Sequence, residues 1–218
     1  MRDSPLCRAF PDAGFTHGPV GNMRVALTAL TARHADTAPA FLADLSALAK
    51  QLVVGGGAEA WLGARGWRAP DWTGRAVRDD GCWAVRTGAA RYLLGESPQA
   101  AGALDVAPGR VAPDTLVLAQ DHAEMVLGGP AAADVLGEFC GIDLDRCDAG
   151  RWLPLLCAQV ESALCVLPRG AARDFHLFCA PADAAGLCRV LLDALRDAGG
   201  APIGFNDYLA IASRGGQA

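Results

Sequence analysis

The chain has 218 residues, of which 52% are hydrophobic and 20% charged, with a formal net charge of −5. That composition is too apolar for intrinsic disorder, and its acidic balance argues against a nucleic-acid partner, because phosphate recognition needs surplus positive charge. The length fits one large domain or two small ones, burying roughly 70% of the unfolded surface.

Residues 1–21 carry Pro5, Pro11 and Pro19, which lack amide donors and disfavour helix at the residue before. Their apolar anchors, Leu6, Phe10 and Phe15, show no periodicity. They read as an extended arm that either folds back or lies across a partner. Val25 and Leu27 alternate with polar or small residues, as in a strand. After a polar loop, Phe41-Leu42-Ala43-Asp44-Leu45-Ser46 leads into a β-branched strand, Gln51-Leu52-Val53-Val54, closed by Gly55, Gly56 and Gly57. Residues 58–65 suit a short helix, with Gly66 at its end.

This unit recurs. Leu52-Val53-Val54-Gly55 followed by Ala58-Glu59-Ala60-Trp61-Leu62 returns as Val126-Leu127-Gly128-Gly129 followed by Ala132-Ala133-Asp134-Val135-Leu136, an offset of 74 (129 − 55) without a gap. Turns at Gly88 and Gly170 each separate two apolar runs, a hairpin signal. Residues 181–198 place Leu187, Leu191, Ala194 and Leu195 on one helical face; Gly199 and Gly200 end that helix, and residues 203–213 are expected to add a last strand. The equivalent helix of the first half, near residues 98–106, is short and interrupted by glycine. The fold class is therefore α+β: two related halves, each an antiparallel sheet with helices on one face, the second in βαββαβ order. The expected organisation is an arm at 1–21, a first half at 22–106, a linker at 107–113 and a second half at 114–218.

Chemistry-bearing motifs are sparse. No secretory signal and no membrane-spanning stretch is visible, and the eight cysteines show no metal-ligand spacing, so they read as reduced structural thiols of a cytoplasmic protein. Gly55-Gly56-Gly57 reads as a tight strand-to-helix turn, since it lacks the flanking residues of a phosphate loop. Of the four histidines, His17 and His34 fall in expected loops, and none has an informative spacing to a serine or cysteine. His176 alternates with Phe175 and Leu177 and should point toward solvent or an interface. Asp79-Asp80 sits at an expected turn, where acids are solvated. Trp61, Trp67, Trp72 and Trp83 crowd one segment, some for the core and some available to a partner. Lys50 is the only lysine among 19 basic residues, which reads as compositional bias. No catalytic, cofactor-binding or metal-binding residue is assigned.

In order along the chain, Ser4-Pro5-Leu6, Asp44-Leu45-Ser46, Gly55-x-x-Ala58-x-x-Trp61-Leu62, the strand after Asp80-Gly81, Gly129-Pro130-x-Ala132-x-x-Val135-Leu136 and Asp174-Phe175-His176-Leu177-Phe178 resemble the γ subunit of heterotetrameric sarcosine oxidase. That subunit is similar to the folate-binding domain of the glycine-cleavage T-protein. The resemblance implies an accessory, non-catalytic role in a flavoenzyme complex that oxidatively demethylates an N-methyl amine. FAD, FMN, NAD and tetrahydrofolate would then sit in the larger α and β subunits, and none in this chain. The corresponding subunit of an N-methylglutamate dehydrogenase is a sibling reading, and a free-standing tetrahydrofolate-dependent aminomethyl transferase is the enzymatic alternative. The T-protein's Gly-Tyr-Glu-Leu run, whose glutamate holds the pterin, corresponds to Asp174-Phe175-His176-Leu177, so His176 replaces the acid. Its Leu-Arg-Leu-Glu-Ala-Gly run corresponds to Leu209-Ala210-Ile211-Ala212-Ser213-Arg214, which loses both charges.

Overall fold

The computed structural model describes residues 1–10, 14–29, 38–70, 76–79, 81–104 and 106–215, with 76–79, 99 and 215 by backbone alone. A small sheet joins β1 (Arg2–Asp3), β2 (Phe15–Val20) and β3 (Met23–Ala29), with β3 in the middle. Two six-stranded sheets form the body. The first contains, edge to edge, β6 (Ala76–Asp79), β7 (Cys82–Gly88), β8 (Arg91–Glu96), β5 (Lys50–Val54), β10 (Thr115–Ala119) and β9 (Gly109–Ala112). The second contains β12 (Trp152–Cys157), β13 (Val160–Arg169), β14 (Ala172–Cys179), β11 (Ala123–Gly128), β4 (Phe41–Asp44) and β15 (Ala201–Pro202). The helices are α1 (Ala58–Gly63), α2 (Ala132–Cys140), α3 (Pro181–Asp197) and α4 (Phe205–Gly215).

The two strand orders correspond position by position, and each sheet takes one strand from the other repeat. Strand β4 precedes β5 in sequence yet pairs antiparallel with β11, Leu42 opposite Leu127. Strand β10 precedes β11 yet pairs antiparallel with β5, Val117 opposite Val53. The exchange explains the repeated glycine. Gly55 and Gly129 follow β5 and β11 with φ of +121° and +101°, where a side chain strains the backbone. Each also lies against the chain entering the exchanged strand: a Cβ on Gly55 would strike the Asp114 carbonyl, and one on Gly129 would come within 2.7 Å of the Pro39 carbonyl oxygen.

Period-two alternation then sorts the side chains of the first sheet. Val53, Ala84, Tyr92, Leu94 and Val117 face α1 and pack with Trp61 and Leu62. On the opposite face Trp83, Val85 and Leu93 meet Trp152, Cys165, Leu167 and Phe178 of the second sheet, with the Phe178 ring 5.5 Å from Trp83 and 5.1 Å from Trp152. The other face of the second sheet carries Leu127, Leu164, Phe175 and Leu177 against α2 and α3.

The inter-sheet face is not covered evenly. In the second sheet its continuation over β11 and β4, Val126, Phe41 and Ala43, is buried under Met23 and Val25 of β3 and Phe205, Tyr208 and Ile211 of α4. In the first sheet no described residue gives the corresponding positions of β5 and β10 such cover. Leu52 and Val54 are half-buried, and their cross-strand partners Leu118 and Leu116 are 38% and 37% exposed.

Several expected segments take a definite form. Residues 203–213 are not a strand: only Ala201–Pro202 pairs, parallel to β4, and α4 follows. Phe205, Tyr208, Leu209, Ile211 and Ala212 recur at helical spacing, and the Asp207 carboxylate accepts the Gly204 N–H at 2.9 Å and the Ala29 N–H at 2.8 Å. That bond satisfies an N–H at the helix start. The weak helix near residues 98–106 shrinks to one 3₁₀ turn, Pro98–Ala100. Of the two alternatives for the stretch 1–21, its described residues fold back, since Leu6, Phe10 and Phe15 are buried in the core beside α3; residues 11–13, Pro11 among them, lie outside the described residues. Residues 109–112, within the expected linker, pair with β10 as the edge strand β9.

Gly129→Ala is expected to cost about 1–3 kcal/mol, because it combines positive φ with a backbone collision. Gly137→Ala, inside α2 with nothing within 4 Å of its Cβ position, is expected to gain about 0.5–1 kcal/mol. Urea denaturation of both variants reads the difference.

Candidate functional site

The two chain crossings, residues 45–49 from β4 to β5 and residues 120–122 from β10 to β11, run side by side. Leu45 N–H donates to the Glu124 carbonyl at 2.9 Å and Gln120 N–H to the Lys50 carbonyl at 2.9 Å. Between them lies a buried polar cluster. Lys50 Nζ is 2.9 Å from Glu124 Oε2 and donates to the Leu48 carbonyl at 2.9 Å. Glu124 Oε1 is 2.8 Å from His176 Nδ1. The Lys50 and Glu124 side chains are each 1% exposed. Burial opposes ionisation of Glu124, yet the charge of Lys50 and the hydrogen bond with His176 outweigh it and hold its carboxyl below the usual range. Asp44 beside them accepts from the Ser4 hydroxyl and the Ser46 N–H, and burial pushes its carboxyl up. The His122 imidazole is pushed down, by burial first and then by Lys50. Glu96 closes the cluster by accepting the N–H groups of Ala49, Gly102 and Leu104 at 2.8–3.0 Å.

Each carboxyl group in this cluster meets a counter-charge or several donors. The cluster's chemistry is that of a lock between the crossings. His176 therefore faces neither solvent nor a partner: it is 4% exposed and turned into the inter-sheet space.

The remaining sequence candidates are scattered. His17 lies in β2 instead of a loop, with Nε2 buried and without a hydrogen-bond partner among the described residues. His34, Trp72 and Asp80 lie outside the described residues, as does the Asp79 side chain. Trp61 and Trp83 are core residues on opposite faces of the first sheet, and Trp67 packs beside Trp61. At the Gly55–Gly57 turn the Asp114 carboxylate lies against Gly56 and Gly57, occupying the place an anion would need. The eight cysteines are unbridged. Burial pushes Cys165 and Cys188 up strongly and Cys179 to about 11, so these thiols are poor nucleophiles. No described helix is long and apolar enough to cross a membrane.

One open cavity of about 500 Å³ stands at the end of the second sheet. The β13–β14 turn, the Gly129-Pro130 turn and α4 wall it, with Phe41, Phe175 and Ile211 as apolar surface and Arg169, Arg173, Arg214 and Asp145 at the rim. Arg173 serves the neighbouring loop, donating to the carbonyls of Leu144, Asp145 and Cys147 and to the Asp145 carboxylate.

No protein-family model and no curated protein sequence matches the chain. Solved structures do. The glycine cleavage system aminomethyltransferase T from Bartonella henselae superposes with a TM-score of 0.73 at 17% identity, covering 99% of this chain and 63% of that one. This chain thus spans less than two thirds of the aminomethyltransferase. A chain of the heterotetrameric sarcosine oxidase from Corynebacterium sp. U-96, solved with pyrrole 2-carboxylate, matches with a TM-score of 0.59 at 22% identity, covering 90% of this chain and 96% of that one. The chain has the fold these two proteins share.

Sequence reasoning missed Lys50, Glu124, Asp44 and Arg169. The signal lay in acids inside apolar runs, Ala123-Glu124-Met125-Val126 and Ala43-Asp44-Leu45, since a buried carboxylate demands a partner. The chain's one lysine is that partner. Lys50→Met is expected to destabilise by about 3–5 kcal/mol, by stranding Glu124, whereas Lys50→Met with Glu124→Leu should recover much of the loss. Because the folded pKa of Glu124 lies below its ordinary 4.5, its contribution is present above that pH and fades as pH falls through the folded value. Urea midpoints measured against pH should show this acid-side decline, and Glu124→Gln should flatten it.

Proposed function

We propose that this chain is an accessory subunit, without a catalytic centre of its own, of a multi-subunit flavin- and folate-linked amine oxidase acting on sarcosine or a related N-methyl amino acid. The observation that carries this reading is the open apolar strip of the first sheet. Leu52, Val54, Leu116 and Leu118 continue the inter-sheet core outward, and their counterparts in the second sheet lie under β3 and α4. Burying a leucine side chain contributes about 1.5–3 kcal/mol, so a partner that covers this strip gains what the chain leaves unused. The match to nearly the whole of one chain of a heterotetrameric oxidase supports the same reading. FAD, FMN, NAD and tetrahydrofolate then belong to the partner subunits, which hold the reacting atoms.

A second reading, a free-standing tetrahydrofolate-dependent aminomethyl transferase, is favoured by the higher TM-score of the aminomethyltransferase. Against it, His176 stands where the resemblance calls for a pterin-holding acid, and its ring is engaged with Glu124. An imidazole does not replace a carboxylate's paired acceptors. Calorimetry with tetrahydrofolate on the isolated chain separates the readings, since micromolar binding would favour the transferase.

The leading reading is tested by tagging the chain in its native host at native level. It should copurify with larger chains carrying flavin absorbance, and Leu116→Glu with Leu118→Glu should sharply reduce that recovery while leaving the isolated chain folded. A chain that stays monodisperse with no flavoprotein, or whose partners ignore both substitutions, would contradict it.

A further inference from the structure

We propose that the cavity at the end of the second sheet is a binding site for a small organic monocarboxylate, with Arg169 as the group that receives the carboxylate. Arg169 ends β13 with its side chain only 16% exposed. Its Nε donates to both oxygens of Asp174 at 2.9 Å, and Asp174 is itself fixed by the Tyr208 hydroxyl at 2.9 Å. The guanidinium carbon stands 5.5 Å from the Phe41 ring centroid. The orientation of the fork is thus set from behind and below. Its two terminal amino groups have no acceptor among the described residues, although Arg169 is a wall of the cavity.

A mostly buried guanidinium with unused, pre-oriented N–H donors fits a planar carboxylate, which it can meet with two parallel bonds. The charge balance points to one negative charge. Arg169 is paired with Asp174 and Arg173 with Asp145 and the loop of residues 144–147, and Arg214 is the third cation of the lining. A phosphate or dicarboxylate would bring more charge than these groups compensate. Phe41, Phe175 and Ile211 supply apolar surface for the rest of the molecule, and about 500 Å³ lies within the ordinary range for small-ligand sites. Asp174 and Tyr208 act through Arg169 as positioning residues.

Calorimetry on the full chain with sodium benzoate, benzamide and sodium sulfate tests this. Benzoate should bind saturably, benzamide at least about tenfold more weakly for want of charge, and sulfate weakly for want of apolar contact. Arg169→Met should abolish benzoate binding and Arg169→Lys should weaken it. Ala133→Phe, which fills the cavity without touching the Arg169–Asp174 pair, should abolish binding and decides the matter if Arg169→Met does not fold. No saturable benzoate binding, equal binding of benzamide or sulfate, or benzoate binding unchanged by Ala133→Phe would overturn the proposal.

Discussion

Two stretches of chain must pass each other between the sheets, and the Lys50–Glu124 pair sits where they pass. A charged pair in the interior is costly to desolvate and repays that cost only with good geometry and full hydrogen bonding. Here the crossings supply the geometry, with Lys50 Nζ 2.9 Å from Glu124 Oε2 and His176 Nδ1 2.8 Å from Glu124 Oε1. Lys50 opens the strand entering the first sheet and Glu124 lies on the strand entering the second, so their contact at 2.9 Å forms only when both crossings are in place. Hydrogen bonds from Leu45 and Gln120 run the same way, each joining one crossing to the other. Neither repeat can complete its sheet alone, because each lacks the strand the other provides.

That constraint explains what is buried and what is left open. The exchange fixes the two sheets face to face over Trp83, Trp152 and Phe178. It leaves the outer reaches of both inner faces to be covered by something else. In the second sheet the chain supplies the cover from its own ends, β3 from one and α4 from the other. In the first sheet the described residues supply none, and Leu116 and Leu118 remain at the surface. A duplicated architecture with one face covered by described residues and its equivalent left open is the physical feature on which the proposed subunit role rests. The cavity beside Arg169 is lined by residues of the covered second sheet, Phe41, Phe175 and Arg169 among them.

Much of this was legible in the residues. The repeat at an offset of 74 correctly located β5 with α1 and β11 with α2, and the glycine turns located both hairpins. The exchange of strands was not legible, because period-two alternation identifies a strand and its faces but not its neighbours. The Phe41–Asp44 run reads the same whichever sheet it joins. The last element was misjudged because residues 203–213 offer apolar positions compatible with either period, and the deciding contacts, Asp207 to Ala29 and Tyr208 to Asp174, come from distant parts of the chain. The single lysine looked like a compositional accident because its significance depends on Glu124, 74 positions away, an acid embedded in an apolar strand. Arg169 carried no signal, since its unused donors are visible only once Asp174 and Tyr208 are placed around it.

The central claim is that strand exchange and the buried pair make the two sheets one cooperative body. Native-state hydrogen exchange at rising sub-denaturing urea reads this directly, because each amide reports the free energy of the opening that exposes it. Amides of β4 and β11 in the second sheet and of β5 and β10 in the first should merge into a single global opening, with equal free energies and equal urea dependence. Exchange of β5 and β10 through a separate, cheaper opening while β4 and β11 stay protected would contradict it.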